Sequence, residues 1–356
     1  MDTLGYLFAF AGAALLAWRI WPRSARLSFP PQDFAWPKVS VIVPARNEEA
    51  VLPKLLRSLA QLDYPDYEVI VVDDRSEDKT AEIARAFPFV RLVSGQERAE
   101  DWKGKQWACH QGALQAQGSF LVFTDADTEH YPDSLRRAVW GLFESKAQGA
   151  SVLPFHACTS FWEKLCGPFH VLLLAGTAPY TKGRLGQVFA IGQYLIFERE
   201  AYQQMGGHEV VRDKIAEDIA LANQVMKSGF HWAVLKGRPY FEVRMYESLS
   251  AFIAGWRRSF RAGMQDSVPW APLEMTAFFA ALAGAGHPFQ VAGLLLGLGS
   301  WIVVARAQAS LGRFSLWGIV FAPFALGLFC WVTLLASYDR LLKRPTLWKN
   351  RAYAAS

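Results

Sequence analysis

Between Lys38 and Thr124 the sequence switches repeatedly between two periodicities, and that alternation restricts the fold more than any other feature. Lys38 to Pro44 (KVSVIVP) is a β-branched run closed by proline. Tyr67 to Val72 (YEVIVV) and Ser119 to Thr124 (SFLVFT) are further runs, with a shorter one at Val90 to Val93. Glu49 to Gln61, Glu77 to Ala86 and Lys105 to Gln117 lie between them with apolar residues at helical spacing. Strands parted by helices of about 10 to 15 residues build a mostly parallel sheet covered on both faces, an α/β class. Ligands of such sheets bind beyond the carboxyl ends of the strands.

The segment after each strand is polar and of one kind. Pro44-Ala45-Arg46-Asn47-Glu48-Glu49 comes after the first, Asp73-Asp74-Arg75-Ser76 after the second, and Asp125-Ala126-Asp127 after the third full strand. Carboxylates gathered at one sheet edge repel one another unless a cation or hydrogen-bond donors offset them. Asp125 and Asp127, two apart where a strand runs out, point to the same side and can offer hard oxygen ligands to Mg2+ or Mn2+. Such an ion would in turn bind a diphosphate. A lone aspartate after a strand more often closes an Asx turn or caps a helix; Asp73, Asp74, Asp125 and Asp127 together favour the metal reading.

The two ends of the chain are apolar. Thr3 to Trp21 carries only Arg19 as a charge and is long enough, at about 1.5 Å per residue, to cross a hydrocarbon core of about 30 Å. Asp2 before it and Arg19, Arg23 and Arg26 at its exit favour an anchor over a cleaved signal. Thr276 to Ala305, interrupted by His287 and Pro288, and Phe314 to Ser337 supply two, or with a half-span three, further membrane segments. Placing both basic clusters, Arg19 to Arg26 and Arg340 to Arg351, in the cytoplasm gives three crossings and leaves Ser24 to Pro272 cytoplasmic. Composition agrees, with 52% hydrophobic and 19% charged residues and 14 Trp, which excludes disorder. The four cysteines show no CxxC spacing, which argues against a zinc ribbon or disulfide framework and fits a reduced compartment. The net charge of +5 comes from basic residues beside apolar spans rather than along a stacking groove, which argues against a nucleic-acid partner.

In the middle of the chain, VSVIVPARNEEAVLPKLLRSL (Val39 to Leu59), YEVIVVDDRSEDKT (Tyr67 to Thr80), GKQWACHQGA (Gly104 to Ala113), FTDADT (Phe123 to Thr128) and AEDIAL (Ala216 to Leu221) occur in one order. In these five blocks the sequence resembles the family 2 glycosyltransferases. The resemblance implies a GT-A fold, a Rossmann-like mixed sheet that binds a nucleotide diphospho-sugar. It implies that the turn Pro44, Ala45, Arg46 to Glu48 holds uridine and ribose, that Asp73 or Asp74 meets the uracil, and that Lys105 approaches base or phosphates. It further implies Asp125 and Asp127 as the DxD element, Asp127 being the metal ligand, and Asp218 of the Glu217-Asp218 pair as catalytic base. Inverting transfer needs one such carboxylate to take the acceptor proton, because the diphosphate is already a good leaving group. Acids at a helix start are also favoured by the dipole, which would keep Asp218 ionised at neutral pH.

The sequence departs from chain-building members of the family, which carry Gln-x-x-Arg-Trp beyond the acidic pair. Here Gly255-Trp256-Arg257-Arg258-Ser259-Phe260-Arg261 has Trp before the arginines and no Gln, so a processive polysaccharide synthase is the lesser alternative, as is a catalytically idle nucleotide-binding scaffold. Leu249 to Met264 places Phe252, Ile253, Trp256 and Phe260 on one face beside Arg257, Arg258 and Arg261, the pattern of an interfacial helix. Its arginines reach either lipid phosphates or, for Arg257 or Arg258, the donor diphosphate. The block is similar to that of membrane enzymes glycosylating carotenoids or hopanoid-like lipids, with Trp256, Glu217, Gly207 and His208 on the acceptor side. Phe155 to Tyr180 reads as core or as a bilayer entrance, core being the default. The chain is thus expected to comprise an anchor (1–23), a cytoplasmic GT-A domain (24–248), an interfacial segment (249–272), transmembrane helices (273–338) and a basic cytoplasmic tail (339–356). Its expected partners are a UDP-sugar, a lipid-like acceptor and the inner membrane.

Overall fold

In the computed structural model the described residues are 14, 30–177, 188–214, 216–236, 240–261, 291–342, 344, 346–348 and 351–353. Nearly all of the expected anchor and all of 262–290 fall outside them. In chain order the elements are β1 (Val39–Ala45), α1 (Leu52–Leu59), β2 (Tyr67–Asp73), α2 (Thr80–Arg85), β3 (Val90–Ser94), α3 (Gly104–Gln115), β4 (Phe120–Thr124), β5 (Thr128–His130), α4 (Ser134–Ser145), β6 (Gly149–Val152) and β7 (Phe155–His156). There follow α5 (Phe161–Leu165), α6 (Gly167–Thr177), β8 (Tyr194–Glu198), α7 (Arg199–Gln204), α8 (Glu217–Lys227), β9 (Trp232–Leu235), β10 (Phe241–Val243) and α9 (Leu249–Ser259). The chain closes with α10 (Val291–Leu311), α11 (Trp317–Val320), α12 (Ala322–Leu341), β11 (Thr346–Trp348) and β12 (Arg351–Tyr353).

Two compact units result. One comprises Ser24–Phe155 and Lys182–Arg244, the other Met1–Arg23, His156–Thr181 and Met245–Ser356. The stretch from His156 to Thr181, expected inside the catalytic domain, therefore groups with the helical unit.

The first unit is built on a seven-stranded sheet in the order β3-β2-β1-β4-β8-β6-β9. Every strand expected from the alternation forms, and β1 pairs in parallel with both β2 and β4. The sheet is nevertheless mixed, because β8 runs antiparallel to β4 and β6. The chain moves from β1 outward to β2 and β3 and then returns to β4 on the other flank of β1. At such a reversal, α/β sheets bind ligands beyond the strands' carboxyl ends, here those of β1 and β4. Val41, Ile42, Val43, Val69 to Val72 and Leu121 to Phe123 are buried on the strands, as expected for a sheet covered on both faces.

The helical unit has its own aromatic core. Phe169 is fully buried, with ring centroids of Phe252 at 5.0 Å, Trp256 at 5.5 Å and Phe329 at 5.3 Å. Phe252, Trp256 and Phe260 are all buried, which corrects the interfacial reading of α9: its aromatic face packs on α6 and α12 instead of lying in lipid. Residues 155–175 are largely buried, matching the core reading of that stretch. Among the described residues one helix, Ala322–Leu341, is long and apolar enough to cross a membrane by length and composition. Within the expected basic tail, β11 and β12 pair antiparallel.

Candidate active site

The loops that leave β1 and β2 clasp each other. Asn47 N–H donates to Ser76 Oγ at 3.0 Å and Asn47 Oδ1 accepts from Glu77 N–H at 2.9 Å. Glu48 N–H donates to Thr80 Oγ1 at 2.8 Å, and Glu49 N–H to Asp78 Oδ2 at 3.0 Å. Asn47 and Arg75 adopt left-handed backbone (φ 53° and 58°), a strain that persists only where surrounding bonds impose it. Arg46 Nη1 donates to the Asp74 carbonyl at 2.8 Å, Asp74 N–H donates to Ala45 O at 2.8 Å, and Asp73 Oδ1 accepts from Ser76 N–H at 3.2 Å. Pro44, Ala45, Arg46, Glu48, Asp73 and Asp74 are thus brought to one corner of the sheet edge.

The second cluster centres on Lys105, in the first turn of α3. Its ammonium lies 2.8 Å from Asp125 Oδ1 and 2.9 Å from Glu217 Oε1, and donates to the Gly192 carbonyl at 3.3 Å. Burial alone would lower the lysine; Asp125 and Glu217 outweigh it and hold the ammonium well above its ordinary value. Asp218, beside Glu217 at the start of α8, accepts from Gly192 N–H at 2.9 Å and from Ile219 N–H at 2.8 Å. Burial and the Glu217 charge push its carboxyl up to about 7, against the opposing pull of Lys105 and of the two N–H donors. This corrects the helix-dipole expectation of a low value. Desolvation beside a second carboxylate outweighs the dipole.

Asp127 is exposed at the turn, with acidic neighbours. The adjoining protein, then the charges of Asp125 and Glu48, raise its carboxyl above the ordinary range, while Lys105 pulls it down. An all-oxygen, mutually repelling set with an open side suits a hard divalent cation. Among the described residues no three His, Cys, Asp or Glu side chains converge on one point. The site therefore fits an ion held by one or two carboxylates and completed by a ligand's phosphates, the usual manner of Mg2+.

Residues 40–206 match the family described as Glycosyl transferase family 2. Over that segment the chain is similar to the family 2 glycosyltransferases. It is 31% identical over 237 residues to a 4,4'-diaponeurosporenoate glycosyltransferase of Staphylococcus haemolyticus, an alignment covering 65% of this chain and 63% of that relative. The match thus spans a little under two thirds of that protein's length. The Staphylococcus aureus protein of the same name is 28% identical over 70% of this chain and 68% of its own. Among solved structures, a mannosyltransferase from Pyrobaculum calidifontis in complex with GDP-Man and Mn2+ superposes with a TM-score of 0.59. It is 20% identical over 96% of this chain and 99% of its own, a likeness of fold.

Other expected site residues lie elsewhere. In the unit that holds the sheet, His208 is 1% exposed, its Nδ1 2.7 Å from Tyr202 Oη and its ring 4.7 Å from that of Phe123. Burial pushes its imidazole down to about 3. It is a core residue, which corrects its placement on the acceptor side. Gly207 has φ 54° and a Cβ there would meet the Tyr202 ring at 2.7 Å, so tight packing accounts for the glycine. In the helical unit Trp256 belongs to the aromatic core, and Arg257 Nε and Nη2 both bond the Asp339 carboxylate, each at 2.5 Å. That bidentate pair occupies the guanidinium proposed for the donor, while Arg258 stays half-buried. Sequence reasoning missed His130, buried behind the Asp125–Asp127 turn. A lone histidine with no periodic partner gives no signal.

Proposed function

We propose that this chain transfers a sugar, with inversion, from a nucleotide diphospho-sugar to a lipid-like acceptor at the cytoplasmic face of a membrane. The observation that carries this reading is the meeting of Lys105 with Asp125 and Glu217 at 2.8 and 2.9 Å, beside Asp218, with Lys105 and Asp125 inside the segment similar to family 2. It ties the DxD turn to the acidic pair at the edge where α/β sheets bind ligands.

In this reading the clasped loops of Pro44 to Glu48 and Asp73–Asp74 hold the nucleoside, which we take to be uridine. Asp127, with the donor's diphosphate, would hold Mg2+ or Mn2+. That cation would offset the charge growing on the leaving diphosphate. Asp218, with a carboxyl near 7, is poised to take the proton of an acceptor hydroxyl at neutral pH. Gly192 N–H fixes the direction in which that carboxylate points. Lys105 stays charged and keeps Asp125 and Glu217 from repelling Asp218 further.

An apolar acceptor is supported by the carotenoid-related relatives and by the helical unit. Its helices expose Ile302, Trp317, Trp331, Leu334 and Leu341, a large apolar surface of the kind that marks a membrane or lipid contact. An acceptor carboxylate, as in the relatives' name, arrives ionised and needs no base, whereas a hydroxyl does. The test is transfer by purified protein in nanodiscs, with Mn2+ or Mg2+, from UDP-sugars and from GDP-mannose to hydroxyl-bearing and carboxyl-bearing apolar acceptors. Anomeric NMR of the product reads inversion. Transfer to a hydroxyl acceptor, abolished by chelation and restored by metal, is expected. Failure to transfer or hydrolyse any donor with either metal sinks the reading.

A further inference from the structure

Thr124 ends β4 and Thr128 opens β5, so these two residues are the posts of the turn that carries Asp125 and Asp127. Thr124 Oγ1 donates to the Gln193 carbonyl at 3.0 Å, and Thr128 Oγ1 donates to the Asp125 carbonyl at 2.8 Å. A hydroxyl has one proton, so both protons are spent on carbonyls. Yet the two hydroxyl oxygens lie 3.0 Å apart, and both face Nε2 of His130, at 3.0 and 3.3 Å. With both protons so used, neither oxygen donates to the other, and the ring nitrogen that faces both is left as the donor.

We propose that His130 is a positioning residue that shapes the metal-binding turn by donating its Nε2–H to Thr124 and Thr128 together. The proposal rests on the reading of Asp127 as metal ligand. Proton accounting assigns the Nε2–H tautomer, leaving Nδ1 to accept from Ser134 Oγ at 3.3 Å. The ring cannot swing away. It stacks on Phe241 at 5.8 Å and lies 5.0 Å from Tyr194, and the His130 backbone N–H donates to Ser58 Oγ at 3.0 Å. The imidazole is buried and its Nε2 faces the hydroxyls of the two threonines, so it acts through geometry and not on substrate. Without its donor, one hydroxyl must turn from its carbonyl, freeing either Asp125 or the Gln193 strand entry.

The experiment is Mn2+ binding, read by water-proton relaxation in the presence of a nucleoside diphosphate, with thermal midpoints measured alongside. His130→Phe keeps the packing and removes the donor; His130→Gln can place an amide N–H near the Nε2 position. Thr128→Val removes the hydroxyl while keeping the shape. The Phe and Val variants are expected to bind Mn2+ roughly tenfold more weakly, and the Gln variant to stay within about threefold of the parent. Parental affinity in folded His130→Phe overturns the proposal, as does a Gln variant no better than Phe. Should the Phe variant not fold, Thr128→Val decides alone: parental affinity overturns the proposal. If the parent protein itself binds no Mn2+, the metal reading fails with it, an outcome distinct from the other two.

Discussion

Gly192 N–H donates to Asp218 Oδ2 at 2.9 Å, while the carbonyl of the same glycine receives Lys105 at 3.3 Å. One peptide segment at the entry to β8 thus touches both the proposed base and the cation that balances its neighbours. A Cβ at this position would sit 3.0 Å from Lys105 Nζ and 3.1 Å from Glu217 Oε1. Gly192→Ala is expected to lower kcat about tenfold, or about 1.4 kcal/mol, with the donor KM within about threefold and circular dichroism unchanged. An unaltered kcat removes Gly192 from the account.

Asp218→Asn should reduce transfer to a hydroxyl acceptor by roughly a thousandfold and leave donor binding intact, whereas transfer to a carboxylate acceptor should survive. The same change should flatten the pH dependence of stability. A carboxyl raised to about 7 from 3.8 contributes stability that is present at low pH and is lost as pH rises through the folded value. Asn can accept only one of the two N–H bonds, so the readout is the pH dependence: the stability that the parent loses between about pH 4 and pH 8 should be smaller in the variant. An equal pH dependence would contradict the raised value.

Lys105 pulls the Asp218 carboxyl down, so removing it must raise that carboxyl further. The acid limb of kcat/KM, expected near 7 in the parent, should move to higher pH in Lys105→Met. Asp125 and Glu217 would also lose their shared cation, with a stability loss of about 2 kcal/mol for a partly exposed pair. A pH profile that does not shift would show that Lys105 serves the donor alone.

Asp339 is buried and held by Arg257, with Arg344 Nη1 at 3.7 Å. Asp339→Asn should lower the thermal midpoint of the detergent-solubilised protein, by about 2 kcal/mol of stability, without changing the donor KM. Arg257→Gln should behave the same way. A raised donor KM with an unchanged midpoint would return Arg257 to the diphosphate.

The alternation of β-branched and helical runs determined the parallel half of the sheet, because each periodicity is local and needs no distant partner. It also determined which residues end up beyond the strands, so the acidic edge was legible in chain order at Asp73, Asp125 and Asp127. The direction of β8 was not legible, since a five-residue apolar strand reads the same either way. Nor was the fate of α9: Phe252, Trp256 and Phe260 form an apolar face whether lipid or Phe169 covers it, and only packing settled which. The tertiary structure alone set the carboxyls of Asp127 and Asp218, because a pKa depends on which charges and how much protein lie within a few ångströms. It alone joined Lys105 to Glu217 and His130 to Thr124, contacts that chain order leaves undetermined and that exist only once the sheet has closed.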